Sequence, residues 1–200
     1  MLALAAGSLG AQLPGSDPTP TIRAVRTDAR IRLDGVPDEP AWLTTDSITD
    51  WHQKDPAEGE RGTQRTVVRV LATDAGLYVA AWMDDPRPDA LVHARLRRDD
   101  DIESEDYIAL LFDSQRDRRT GYLFGTNPNG MLWDGEVNAE NLDTDWNGVW
   151  DVRTRITPFG WTAEFFIPWQ NFRAPAGAES FGFNVERLMR RTNEKVLWRS

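Results

Sequence analysis

Residues 160–167 read GWTAEFFI, a stretch in which apolar side chains alternate with other residues. The apolar positions are Trp161, Ala163, Phe165 and Ile167. Because successive side chains of a β-strand point to opposite faces, these four are expected to share one face. Residues 149–156, VWDVRTRI, repeat the pattern with charged side chains on the second face. Sheets with one buried and one solvated face are typically antiparallel, so both segments predict antiparallel strands.

Similar segments recur from residue 66 onward, separated by turn signals. The predicted strands are residues 66–73, 77–83, 106–112, 120–126, 130–136, 149–156, 160–167, 181–188 and 196–199. Asn129 and Gly130 suit a hairpin turn with positive φ. Short helical turns are expected only at residues 40–43 and 168–172, where proline occupies a first helical position. The pattern predicts an all-β fold with few short helical turns, either an antiparallel β-sandwich of immunoglobulin-like or jelly-roll type or a barrel.

The two ends of the chain differ from this pattern. Residues 1–12 are apolar and small, and they are interpreted as the remnant of an export signal or, alternatively, as an unstructured apolar N-terminus. Residues 13–21, LPGSDPTPT, predict an extended linker, and residues 22–200 the folded domain. Because the chain stops inside a predicted strand, a domain truncated at its C-terminus is expected. The export interpretation predicts a protein of the periplasm or outer membrane.

The composition limits the function. A net charge of −9 over 200 residues repels phosphate backbones, so nucleic acid is not an expected partner. The absence of cysteine excludes disulfides and cysteine nucleophiles. No motif of nucleophilic, nucleotide-dependent or zinc-dependent catalysis occurs. A carboxylate pair for glycoside hydrolysis stays open, because a chain with 32 acidic residues places some pair at a suitable separation by chance.

The densest acidic stretch is residues 99–106, DDDIESED. Calcium prefers carboxylate and other oxygen ligands, so this stretch is one candidate calcium site. The alternative is a solvated acidic loop balanced by Arg95, Arg97 and Arg98.

The chain also contains nine tryptophans. Flat indole rings stack on the C–H faces of sugars while amides and charged groups bind the hydroxyls. Four tryptophans are in phase with buried positions: Trp42, Trp82, Trp150 and Trp161. Four others lie near predicted turns: Trp51, Trp133, Trp146 and Trp169.

Residues 31–42, IRLDGVPDEPAW, resemble the opening of the family 9 carbohydrate-binding module, a DOMON-like β-sandwich. Residues 105–113, 160–168 and 181–187 are similar to its later strands. The motifs RRD at 97–99, NPNG at 127–130 and RRTNE at 190–194 resemble a bacterial envelope family that carries this module before a barrel-like region. The resemblance implies a saccharide ligand and, as a second partner, a following β-barrel region of the same protein.

The resemblance also implies where ligand residues belong. Sugar-binding members use two tryptophans, but residues 101–105 contain no aromatic side chain at the first position. Ala109 and Gly125 stand where a ligand-contacting Glu and Arg are expected, whereas Asn127 matches. The predicted saccharide contacts are Trp133, Trp146, Trp198, Asn127 and Asn129. The predicted calcium ligands are Asp99, Asp101, Glu103, Asp106 and Asp113.

These features favour a non-catalytic carbohydrate-binding-like domain of an exported protein associated with polysaccharide catabolism. A second hypothesis is a docking domain of an outer-membrane barrel protein that lacks a sugar site. A third is part of a glycoside hydrolase, since such modules are commonly attached to hydrolases. No cofactor other than calcium is expected.

Overall fold

The computed structural model describes residues 20–139 and 141–198, which form two β-sheets packed face to face. The strands are β1 (Val25–Arg26), β2 (His52–Asp55), β3 (Thr66–Ala72), β4 (Gly76–Asp84), β5 (Tyr107–Asp113), β6 (Thr120–Thr126), β7 (Trp133–Asn138), β8 (Asn141–Asp143), β9 (Asp151–Thr157), β10 (Gly160–Pro168), β11 (Gly182–Met189) and β12 (Glu194–Leu197). Short 3₁₀ helices span Pro40–Thr44, Pro88–Ala90, Ile102–Ser104 and Trp169–Asn171. Within these described ranges, no helix is long and apolar enough to cross a membrane.

The sheets differ in size. The five-stranded sheet has the order β1-β3-β4-β10-β9, and the seven-stranded sheet has the order β2-β12-β11-β5-β6-β7-β8. β1 runs parallel to β3, whereas β4 and β10 pair antiparallel along their whole length. The predicted antiparallel β-sandwich is therefore confirmed.

The inner faces of both sheets form the main core. The alternating residues of β10 lie there, and none of them is more than 2% exposed: Trp161, Ala163, Phe165 and Ile167. Trp150 stacks on Phe165 with ring centroids 5.9 Å apart. The alternation of residues 149–156 holds for Trp150 and Val152 but not for Ile156, which lies near the end of the edge strand β9 and is 41% exposed.

The predicted strands match the observed ones closely, with two kinds of difference. β7 begins at Trp133, because residues 127–130 make a turn and Met131 and Leu132 precede the pairing with β6. The pattern missed β1, β2 and β8, which span two, four and three residues. The expected export remnant, most of the linker and residues 199–200 lie outside the described residues.

Residues 31–44 cross the outer face of the five-stranded sheet, and we call this segment the strap. Trp42 of the strap packs with Ile31, Leu71 and Ala80 in a second cluster of buried side chains. Gly35 has a φ of +83°, and a Cβ there would lie 2.7 Å from the Thr154 carbonyl carbon. Only glycine allows the strap to approach β9 this closely.

Candidate functional site

Trp133, a predicted saccharide contact, lies on the outer face of the seven-stranded sheet and is only 9% exposed. Its ring covers Gly125, where an added Cβ would lie 2.5 Å from a ring carbon. It also meets Tyr107 edge to face at 5.7 Å. The indole of Trp133 therefore fills the space above β6 instead of presenting a free face.

Asn127 is fully buried at the end of β6. Its side-chain amide donates to the Arg95 carbonyl oxygen and to the Glu105 carboxylate. Its Oδ1 accepts hydrogen bonds from the backbone amides of Asn129 and Met131, each 3.0 Å long. The hydrogen bonds to Asn129 and Met131 stabilise the β6–β7 turn, and those to Arg95 and Glu105 fasten the turn to the segment before β5. The side chain of Asn129 is exposed and donates to the His93 carbonyl oxygen.

The other two predicted tryptophans lie on the opposite side of this sheet, against the main core. Trp146 packs on Tyr122 at 5.2 Å, and Trp198 packs on Phe183 at 6.0 Å. Trp133 belongs to the outer cluster instead. The structure thus brings Asn127, Asn129 and Trp133 to one turn region but does not join Trp146 and Trp198 to them.

The acidic stretch binds backbone amides. Glu105 is 1% exposed and accepts hydrogen bonds from the amides of Ala94 and Arg95. Asp106 is 2% exposed and accepts from the amides of Val92 and Arg190, and burial raises its pKa. These two carboxylates fasten residues 92–95 to the seven-stranded sheet.

The remaining predicted calcium ligands do not converge on one point, because each contacts a different part of the protein or is exposed. Asp99 accepts from the Asp134 amide, Glu103 pairs with Lys195 at 3.3 Å, and Asp113 accepts from the Arg118 amide. Asp101 is exposed. Over residues 20–139 and 141–198, no group of three or more His, Asp or Glu side chains is arranged to hold a metal ion. Calcium binding stays a prediction, and four of the five predicted ligands already have the protein partners just named: Asp99, Glu103, Asp106 and Asp113.

An open pocket of about 580 Å³ lies at one end of the sandwich, and we call it the end pocket. Its floor is apolar and comes from both sheets: Val70, Leu77, Phe112 and Phe183. Its rim combines two aromatic with four polar side chains: Trp169, Phe181, Arg23, Asp46, Glu179 and Ser180. A concave apolar floor with a few polar groups at the edge is typical of small-molecule sites, which occupy roughly 300–1,000 Å³.

Trp169 is the most exposed of the nine tryptophans, at 37%. It begins the 3₁₀ helix Trp169–Asn171 directly after β10. Its indole N–H donates to the Thr73 carbonyl oxygen at 2.9 Å, and Phe181 meets the ring edge to face at 6.5 Å. These contacts fix the ring at the pocket rim while leaving more than a third of the residue open to solvent.

The charged groups of the rim are free to bind a ligand. Arg23, Asp46 and Glu179 are exposed. Among the residues that the structure describes, no salt bridge involves any of the three. The pocket therefore offers both hydrogen-bond donors and acceptors beside an exposed indole.

Three solved structures with a similar fold have descriptions that refer to carbohydrate binding. A family 9 carbohydrate-binding module from Caldicellulosiruptor kristjanssonii in complex with cellotriose superposes with a TM-score of 0.61 at 16% identity, covering 87% of this chain and 81% of that one. A family 9 module from the same organism in complex with glucose gives 0.56 at 15% identity, with 88% and 84% coverage. A candidate carbohydrate-binding protein from Bacteroides uniformis gives 0.57 at 13% identity, with 75% and 77% coverage.

The chain has a β-sandwich fold like that of family 9 carbohydrate-binding modules. No protein-family model matches the sequence, and the curated proteins give no significant match. The resemblance in the sequence is confirmed at the level of the fold, whereas the DOMON and barrel-like parts of it stay predictions.

Within this family 9-like fold, two positions at which the resemblance implies ligand-contacting side chains are closed, Gly125 and Ala109. Gly125 stands where an Arg is implied, and the Trp133 ring fills the volume above it. Ala109, where a Glu is implied, is 4% exposed in the same cluster as Trp133. The end pocket, in contrast, is open, and its exposed indole, Trp169, is one of the four tryptophans that the sequence places near turns.

Proposed function

We propose that this domain binds a saccharide in the end pocket, with Trp169 as the stacking surface. The observation that carries the proposal is the position of the most exposed tryptophan at the rim of a pocket with polar edges. The fold likeness supports it, because the compared family 9 modules were solved with cellotriose and glucose.

The chemistry of the pocket fits a sugar better than a purely apolar ligand. A pyranose presents a C–H face that packs on an indole, and its hydroxyls require hydrogen-bond partners at the ring edge. Arg23 can donate, while Asp46 and Glu179 can accept. An apolar ligand would leave these three groups without partners, and desolvating them would then cost binding free energy.

The indole of Trp169 is positioned before a ligand arrives. The hydrogen bond from its N–H to Thr73 and the edge contact with Phe181 restrict its rotamers. Binding to a side chain that is already ordered avoids roughly 0.5–1.5 kcal/mol of side-chain entropy loss. The proposed site is therefore preorganised at the residue that contributes the most flat surface.

The proposal extends to the location and the role of the protein that contains this domain. A saccharide-binding domain of this kind would serve an exported protein that acts on polysaccharides at the cell envelope. The apolar residues 1–12 and the sequence resemblance support this context.

An NMR titration tests the site directly. The ¹⁵N-labelled chain is titrated with cellotriose, xylotriose and mannotriose, and the indole N–H signals are followed, with that of Trp169 assigned from Trp169→Phe. We expect the Trp169 signal to shift in a saturable manner with at least one of the sugars. The buried indoles of Trp51 and Trp150, which do not line the end pocket, serve as internal controls and should not move. Silence of the Trp169 signal with all three sugars would overturn the proposal and favour the docking hypothesis.

A substitution measures the contribution of the ring. Trp169→Ala should lower the affinity for the responding sugar at least about tenfold, the equivalent of about 1.4 kcal/mol. Because the side chain is partly exposed and lies outside the strands, the variant should stay folded, which its thermal unfolding checks. An unchanged affinity of the end pocket in this variant would contradict the role of Trp169.

A further inference from the structure

A second concave site lies at the other end of the five-stranded sheet, and we call it the strap pocket. It has a volume of about 350 Å³ and is enclosed by the strap, the end of β4 and the β9–β10 turn. Its lining includes three aromatic side chains, Trp82, Phe159 and Trp161, and three charged ones, Asp38, Asp84 and Arg155. The end pocket contains Leu77 near the start of β4, whereas this pocket contains residues 82–84 at its end.

Phe159 contributes a highly exposed aromatic ring to the strap pocket. It lies in the turn between β9 and β10 and is 78% exposed. The turn itself is well fixed, since the Phe159 amide donates to Thr157 Oγ1 and its carbonyl oxygen accepts from the Asp85 amide at 2.9 Å. A rigid turn thus holds a large aromatic ring in solvent beside a pocket.

Trp82 supplies a second aromatic surface to this pocket. It is half-buried, and its ring meets Trp42 of the strap edge to face at 6.4 Å. This contact with the buried Trp42 restricts the orientation of the Trp82 indole. Besides the buried Trp161, the pocket therefore has two accessible aromatic side chains, the largely exposed Phe159 and the half-buried Trp82.

Polar groups stand beside these rings. Arg155 is exposed, and no salt bridge among the described residues engages it. The carboxylates of Asp38 and Asp84 pair with arginines only at 3.9 Å and 3.6 Å, and both are substantially exposed. A donor and two acceptors around aromatic surface repeat the chemistry of the end pocket.

We propose that the strap pocket is a second saccharide-binding site, which makes the domain divalent for glycans. This inference rests on the proposed function for the type of ligand, but it uses a separate set of residues. Because β-strands rise about 3.3 Å per residue, the two pockets are separated by about 20 Å along β4. They open at opposite ends of the sheet, so each binds its own segment of a glycan.

Divalency has a measurable consequence for polymers. When two sites engage one polymer, the second contact forms at a high effective concentration, and avidity exceeds the single-site affinity by about 10²–10⁴. A divalent domain should therefore be retained on an insoluble glycan far more strongly than its affinity for a trisaccharide indicates.

Calorimetry of the unaltered chain with each of the three trisaccharides, cellotriose, xylotriose and mannotriose, tests the inference. We expect two molecules of trisaccharide per chain in the unaltered protein and one in each single variant, Phe159→Ala and Trp169→Ala. The double variant should bind none. Leu43→Ala, which removes another highly exposed apolar side chain outside both pockets, should keep two.

The outcomes separate this inference from the proposed function. One molecule per chain that is lost in Trp169→Ala and kept in Phe159→Ala supports the end pocket and overturns the strap pocket. One molecule that shows the reverse pattern supports the strap pocket and overturns the end pocket. No binding by the folded, unaltered chain to any of the three sugars overturns both. Phe159 is too exposed for its loss to unfold the domain, and thermal unfolding of Phe159→Ala verifies this.

Discussion

Glu164 on β10 is a buried carboxylic acid beneath the strap. It is 0% exposed, and its Oε2 accepts hydrogen bonds from the backbone amides of Asp34 and Gly35 at 3.1 Å and 2.8 Å. Among the residues that the structure describes, none forms a hydrogen bond with its Oε1. Burial raises the pKa of Glu164 to about 7, although the two amide hydrogen bonds act in the opposite direction. The strap is thus fastened to the sheet by a group that titrates near neutral pH.

This shift predicts how stability depends on pH. Between the unfolded-state pKa near 4.5 and the folded-state pKa near 7, the folded protein binds more protons at Glu164 than the unfolded chain. Its contribution to stability is therefore fully present below pH 4.5 and is lost as the pH rises through 7. At pH 8, Glu164→Gln should be more stable than the unaltered chain by on the order of 2 kcal/mol. Urea unfolding of both proteins at pH 5 and pH 8 measures the difference.

The control for Glu164 is an exposed glutamate. Glu58→Gln changes the net charge by the same amount and lies outside the core. It should leave the pH dependence as it is in the unaltered chain. If Glu164→Gln retained the full decrease in stability between pH 5 and pH 8, Glu164 would not be its source.

At the scale of the elements, most of the fold could be predicted from local pattern. The alternation of apolar side chains in residues 160–167 predicts a strand with one buried face, and β10 spans this segment with that face in the core. The missed strands carry no such pattern. β2 reads HQKD and β8 reads NLD, and both form only because they pair with neighbours at the edges of the seven-stranded sheet. Their existence depends on contacts distant in sequence.

The site residues were harder to predict for the same reason. The sequence places Trp133 beside a turn, but its burial results from the register of β6 and β7, which sets Gly125 opposite Trp133. The acidic stretch suggested calcium because the sequence does not show that Glu105 and Asp106 meet the amides of residues 92–95. The sequence does not show that Trp169 is the most exposed of the turn tryptophans, because exposure depends on the tertiary structure, in which Trp169 lies beside Phe181 at the end pocket.

The β9–β10 hairpin depends on Gly160. This residue has a φ of +141°, and a Cβ there would lie 2.0 Å from the Met83 carbonyl oxygen on β4. Gly160→Ala should therefore destabilise the domain by about 3 kcal/mol, since the backbone of the central strand has to move. Gly177→Ala is the matched control, because Gly177 also has positive φ, and within the described part of the chain no atom lies within 4 Å of a Cβ added there. Equal urea midpoints for the two variants would contradict the steric argument.

At the scale of the whole molecule, Arg187 connects the two sheets. It lies on β11 of the seven-stranded sheet and is 1% exposed. Its guanidinium donates to Thr66 Oγ1 at 2.7 Å, to the Arg65 carbonyl oxygen at 3.2 Å and to the Asp84 carbonyl oxygen at 2.7 Å. Burial lowers the pKa of Arg187 to about 10, so the side chain stays charged at neutral pH.

Removing this cation should weaken the packing of one sheet on the other. Arg187→Met keeps an apolar stem but deletes all three hydrogen bonds, and it leaves the buried Asp106 carboxylate without a nearby positive charge that favours its ionised form. Breaking a buried ionic arrangement by removing one partner typically costs about 3–5 kcal/mol, and we expect a loss of that size in urea unfolding at pH 7. Arg153→Met, on the exposed side of β9, should change stability by less than about 0.5 kcal/mol. If both variants unfolded at the same midpoint as the unaltered chain, the sheets would be held by apolar packing alone.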